Sequence, residues 1–164
     1  HYNVEPDVIS LAKALGCGFP IGAILVRDKF ASGFAIGSHG TTFGGNPLAC
    51  SVALAAFNII SQPEFLADVE SAAAKFKQHI KLINEEFAIY DEIRGSGLLI
   101  GAQLKPEYHG KAKDIMVAGF KHGVATLIAS PNVTRFTPPL IINDEDIELG
   151  FVNFKAGLTS DFTN

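Results

Sequence analysis

The spacing of apolar residues changes along the chain, and each change marks an element. VISLA (8–12) and GAILV (22–26) are short apolar runs separated by the glycine- and proline-bearing GCGFPIG. That pattern predicts a strand, a tight loop and a second strand. GSHGTTFGGNP (37–47) carries four glycines and ends on Asn46 and Pro47, a cap followed by a first-turn proline, so a helix is predicted over 47–60. After SQPEF (61–65), Phe65, Leu66, Val69, Ala73, Phe76, Ile80 and Ile83 recur at helical spacing, with Lys, Glu, Asp and Gln between them. IYDEIRGSGLLIGAQL (89–104) reads as two strands around Gly95 and Gly97, KAKDIMVAGFKHG (111–123) as a helix ending at Gly123, and VATLI (124–128) and RFTPPLII (135–142) as strands. Asn143, followed by Asp144, Glu145 and Asp146, supplies a cap and first-turn acids for a last helix to about Leu158.

Helices alternate with strands from residue 63 onward, which predicts a small α/β domain with helices packed on one sheet. Residues 1–62 are expected to be the end of a larger domain, and 63–164 the small C-terminal one. The chain opens at HYNVEPDVIS directly ahead of an apolar run and its one methionine is Met116, so an upstream part is expected. With 164 residues, 48% of them hydrophobic, it is long enough to bury a core.

A formal charge of −4 offers no basic excess for nucleic acid or an anionic membrane, and neither is expected as a partner. The longest apolar stretches, such as LLIGAQL (98–104), fall far short of the roughly 20 residues that span a bilayer. Cys17 and Cys50 form no CxxC pair, which fits reduced thiols and a cytoplasmic protein.

Three places could carry chemistry. Lys13 stands in LAKALGCGFPIGA among apolar and small neighbours, with no acid between Asp7 and Asp28. Either it is a surface lysine at a strand end, or desolvation favours its neutral amine, able to bond an aldehyde covalently. Thr41 and Thr42 lie among glycines just ahead of a helix. Such a segment is an ordinary turn, or one whose amides and hydroxyls hold a phosphate. Arg135 in TRFTPPL is the one cation between Val124 and Ile142; it makes a structural salt bridge or binds a substrate carboxylate through its planar fork. His1, His39, His79, His109 and His122 show no metal-ligand spacing, no helix is predicted after GSGLLIG to make it a nucleotide loop, and Arg94 reads as structural.

Taken together, SLAKALGCGFPIGA, GSHGTTFGGNPLAC, IRGSGLLIGAQL and ASPNVTRFTPPL, in this order and spacing, resemble the class III aminotransferases over nearly the whole chain. The resemblance is nearest to the bacterial acetylornithine and succinylornithine branch. It implies the C-terminal part of a fold type I pyridoxal-phosphate-dependent transferase, with Lys13 as the catalytic lysine that holds pyridoxal 5′-phosphate. Thr42 would bind the cofactor phosphate across a homodimer interface, Thr41 would lie at the substrate, and Arg135 would bind the substrate carboxylate. The family usually has glycine where this chain has Cys17. The implied reaction is ping-pong transfer from N-acetylornithine or N-succinylornithine to 2-oxoglutarate, with Lys13 moving the proton. A related ω-aminotransferase acting on ornithine or 4-aminobutyrate, or a non-catalytic isolated domain, are the other readings.

Overall fold

The computed structural model describes residues 2–162. The chain divides into two compact units, His1–Phe65 and Leu66–Asn164.

In the first unit, strands β1 (Val8–Leu11) and β2 (Ala23–Val26) pair antiparallel, Val8 opposite Val26 and Leu11 opposite Ala23. A 3-10 turn over Lys13–Gly16 stands in the connection between them. Two exposed ion pairs, Arg27–Glu5 and Lys29–Asp7 (2.7 Å), tie the chain ahead of β1 to the single helical turn α1 (Asp28–Ala31), which the apolar pattern gave no sign of. Helix α2 occupies Pro47–Ile60, the expected span, and the Asn46 side chain caps it by accepting from the Ala49 amide at 2.9 Å. Its buried face is built from Ala49, Ala53 and Ala56, while Leu54, Phe57 and Ile59 stay exposed.

The second unit is built on one sheet of order β3-β4-β6-β5, antiparallel throughout, with β3 at Tyr90–Ser96, β4 at Leu99–Leu104, β5 at Leu127–Ser130 and β6 at Val133–Phe136. Helices α3 (Pro63–Phe87), α4 (Ala112–Lys121) and α5 (Asp144–Gly157) accompany it. On β4, Ile100, Ala102 and Leu104 are buried while the alternate residues Leu99, Gly101 and Gln103 are not, the period-2 signature of a sheet covered on one face. The cover is aromatic. Phe136 of β6 meets Phe76 of α3 at 5.8 Å between ring centroids and Phe154 of α5 at 5.6 Å, and Phe76 also meets Phe151 edge-on at 4.7 Å. Edge-to-face pairs of this kind add about 0.5–1.5 kcal/mol each beyond the area they bury. Of the predicted α3 stripe, Val69, Ala73, Phe76, Ile80 and Ile83 are buried, but Leu66 is not.

Two strands differ from expectation for backbone reasons. The α4 helix closes with the Val124 amide donating to Gly119 O (2.9 Å) and the Gly123 amide to Phe120 O (3.1 Å), Gly123 taking a φ of +83°. This is a Schellman closure, and because it uses the Val124 amide, β5 begins only at Leu127 rather than Val124. Strand β6 stops at Phe136 instead of running to Ile142, since Pro138 and Pro139 have no amide to give a ladder, and it starts earlier, at Val133. Helix α5 is capped by Asn143, which accepts from the Asp146 amide at 2.7 Å. A π-helical turn, Leu158–Phe162, follows it. Asp161 in that turn accepts from Lys121 Nζ at 2.5 Å and pairs with His122 Nε2 at 3.0 Å. Those contacts, the Lys121 hydrogen bond first, hold its carboxyl below the usual carboxylate range.

The β3–β4 hairpin depends on one glycine. Gly95 has a φ of +133°, and a Cβ there would lie 2.0 Å from Leu99 O. Gly95→Ala is therefore expected to destabilise the protein by roughly 2–4 kcal/mol, combining backbone strain with overpacking against a main-chain oxygen. Thermal unfolding followed by circular dichroism measures it, and a melting temperature equal to the wild type would contradict the steric argument.

Candidate active site

Lys13 begins the 3-10 turn that follows β1, and its own backbone lies in the left-handed region at φ +53°. A non-glycine residue held there is an uncommon and strained conformation, of the kind found concentrated at functional sites. The turn is fixed from both sides. Leu15 N donates to Ala12 O (3.1 Å) and Phe19 N to Gly16 O (2.8 Å), and the turn rests on α2. Gly16 is buried at a position where a Cβ would come within 2.7 Å of Ile21 Cγ2, so a larger residue would push the turn away. Lys13 is exposed, as the surface-lysine reading has it, rather than desolvated, and no carboxylate pairs with it among the described residues.

Thr41 and Thr42 lie in the loop leading to α2, both exposed, with no hydrogen-bond partner for either hydroxyl among the described residues. The loop is shaped by Gly44, whose amide donates to Thr41 O (3.4 Å) and whose missing side chain makes room for the Thr41 hydroxyl. Asn46 takes the α2 amide of Ala49 and donates to Phe43 O at 2.8 Å, so the first turn of the helix is already partly satisfied. An anion held here would lean on the loop's own hydroxyls and amides.

Arg135 belongs to the second unit, in the middle of β6, half-buried, with its Nε shielded and, among the described residues, unpartnered. The structural salt bridge that would give it a bland role is absent: no carboxylate lies within ion-pairing distance among the described residues. A guanidinium fork without a carboxylate partner is chemically able to take one. Thus Lys13, Thr41 and Thr42 sit in loops of the first unit, and Arg135 is on the sheet of the second. Among the described residues no group of three or more histidine, cysteine, aspartate or glutamate side chains could hold a metal ion; His1 lies outside them. Among the described residues no single helix is long and apolar enough to cross a membrane.

Residues 1–158 match the aminotransferase class-III family. The chain belongs to that family. Among curated relatives, it is 50% identical over 158 residues to a succinylornithine transaminase/acetylornithine aminotransferase of Pseudomonas aeruginosa, a match covering 96% of this chain and 39% of the relative. It is 49% identical to a succinylornithine transaminase of Yersinia pseudotuberculosis, with 96% and 38% covered. Its fold is similar to the crystal structure of N-acetylornithine aminotransferase from Stenotrophomonas maltophilia K279a, with a TM-score of 0.86, 39% identity, and 96% of this chain against 41% of that one covered. The chain thus spans about two-fifths of the length of the class III aminotransferases it matches.

The residue that closes the Lys13 turn has a local physical cost. Cys17 closes the Lys13 turn at φ +46°, in the left-handed region that glycine adopts without a Cβ penalty. Cys17→Gly should leave the turn in place and stabilise the protein by about 0.5–1 kcal/mol, the relief of the left-handed strain less the extra entropy glycine loses on folding. Urea unfolding of the two proteins measures this, and a loss of stability in Cys17→Gly would mean that the thiol, which lies 3.5 Å from Ala14 O, holds the turn.

Proposed function

We propose that this chain is the lysine-bearing, C-terminal part of a pyridoxal-phosphate-dependent aminotransferase. The reaction is transfer of the terminal amine of N-acetylornithine or N-succinylornithine to 2-oxoglutarate. In this reading residues 1–62 are the end of the large cofactor-binding domain and 63–164 the small C-terminal domain of a cytoplasmic homodimer. The observation that carries it is the chain's near-50% identity, over 158 residues, to enzymes named for succinylornithine and acetylornithine.

The residues present fit the cofactor. Lys13 offers an amine on a turn of fixed, strained geometry, unpaired by any carboxylate among the described residues, and Thr42 offers a free hydroxyl in a glycine-lined loop. Lys13 is the group that would hold pyridoxal 5′-phosphate and carry the proton in the exchange, Thr42 would take the phosphate, and Thr41 would face the substrate. When bound, the cofactor supplies an electron sink for the carbanion at the reacting carbon. Arg135, whose Nε has no partner among the described residues, would fix the substrate by one carboxylate, its planar fork giving direction as well as charge.

The exposed apolar residues of the first unit favour a second statement about these 164 residues taken alone. Val8, Ile9, Leu11, Ile24 and Leu25 are each 38–63% exposed on a two-stranded sheet, and a lone hairpin of this kind is marginal in water. On its own this chain would fold in part and not turn over.

Two measurements on the complete protein test the assignment. Borohydride reduction in the presence of pyridoxal phosphate, followed by peptide mass spectrometry, is expected to place the phosphopyridoxyl adduct on Lys13, and an adduct on Lys29 would overturn that role. Steady-state kcat/KM with four amino donors is expected to rank N-acetylornithine and N-succinylornithine above ornithine and 4-aminobutyrate; a dominant rate with 4-aminobutyrate would move the protein to another branch of the family.

A further inference from the structure

The loop that carries Thr41 and Thr42 gains little from packing within this chain. Residues 41–45 are all exposed, Phe43 by 79%, so the loop takes its shape from hydrogen bonds. Among the described residues, Gly44 N donates to Thr41 O at 3.4 Å and Asn46 N to Phe43 O at 3.3 Å, while the Asn46 side-chain Nδ2 donates to the same Phe43 O at 2.8 Å. An N–H···O hydrogen bond ordinarily measures about 2.7–3.2 Å, so of these only the side-chain bond has full strength. Asn46 is half-buried, unlike the five residues ahead of it.

The other end of the same amide caps α2. Asn46 Oδ1 accepts from the Ala49 amide at 2.9 Å. Capping needs only an acceptor, which Ser, Thr and Asp also supply. The bond from Nδ2 back into the loop needs a donor, and an aspartate has none. A second asparagine cap shows that the backward bond is no requirement of capping. Asn143 accepts from the Asp146 amide at 2.7 Å and turns its Nδ2 forward, onto Asp146 Oδ2 of its own helix at 3.0 Å. Asn46 instead ties the carbonyl of the residue after Thr42 to the first turn of a 14-residue helix, the one on which the Lys13 turn also rests.

We propose that Asn46 is a positioning residue for the cofactor phosphate, its amide clamping the Phe43 carbonyl so that the Thr42 hydroxyl is held ready for the anion. The inference rests on the proposed role of Thr42 and adds the residue that anchors its loop to α2. A loop that must be ordered at the moment of binding loses affinity by the cost of ordering it, and a loop already clamped to a helix does not. The acceptor half of Asn46 serves the helix, and the donor half serves the site.

The test titrates the complete protein, freed of cofactor, with pyridoxal 5′-phosphate and with pyridoxal, which lacks the phosphate, following the absorbance of the bound ring. Asn46→Asp and Asn46→Ser both keep a cap acceptor and lose the amide that reaches back to Phe43. In each, affinity for pyridoxal 5′-phosphate is expected to fall about tenfold, while affinity for pyridoxal stays within about threefold of wild type. Asn143→Ser, which removes only a forward bond, should leave both affinities unchanged. The ratio of the two affinities decides the matter even where a variant melts at a lower temperature. A loss confined to Asn46→Asp would assign the effect to the added charge, and an equal loss for both ligands would make Asn46 merely structural. Either result overturns the proposal, as does a wild-type ratio in Asn46→Ser or a like fall in Asn143→Ser. A wild-type protein that binds pyridoxal 5′-phosphate no more tightly than pyridoxal would remove the phosphate site itself.

Discussion

The alternating burial of one short sheet governs what the second unit can do. Ile100, Ala102 and Leu104 must leave water together, and they do so against a cluster of rings supplied by Phe76, Phe136, Phe151 and Phe154. Once that face is committed, the period of two along each strand commits the other. Arg135 follows Thr134 and precedes Phe136, both buried, so it emerges on the opposite surface. A one-residue slip of β6 would turn the arginine into the aromatic core and Thr134 and Phe136 out into water. The register is therefore held by the burial of several large side chains, each worth about 1.5–3 kcal/mol. The candidate carboxylate site inherits its position from a core it does not touch.

The first unit works by a different constraint, the close approach of backbone. Its core is thin, with alanines on the inner face of α2 and a buried glycine in the turn. Small residues let a helix and a turn come together at the distance that sets the Lys13 backbone, and Lys13 itself accepts a left-handed φ. Large apolar side chains on β1, β2 and α2 point outward and remain exposed. A unit so organised gives a well-defined turn with Lys13 exposed on it.

Local chemistry made several elements legible in the sequence. Asn46 followed by Pro47 marked the start of α2, and Asn143 followed by three acids marked the start of α5, since caps and first-turn charges act over a few residues. Gly123 marked the end of α4 because only a left-handed residue closes that helix with two amide hydrogen bonds. The same closure hid the start of β5, as an amide spent on a helix end cannot be read from an apolar run. The prolines that end β6 were in plain view, but TPPLII carries the strand-like composition that composition alone follows. Leu66 was counted into the α3 stripe by spacing and stayed exposed.

By itself the sequence determined the family, through four motif segments whose order and spacing are carried by the chain, and it singled out Lys13, Thr41, Thr42 and Arg135 as residues of the right chemical type in unusual surroundings. Arg94, ahead of the glycines and serine of its loop, reads from the sequence as structural. That Arg94 and Arg135 flank Gly101 in one row depends on pairing register between residues some forty positions apart, which is a property of the folded sheet. Tertiary structure likewise decided that Arg135 has no carboxylate partner among the described residues and that Lys13 stands exposed in a left-handed turn. Both depend on which distant groups come near, and a one-dimensional pattern records only which groups exist.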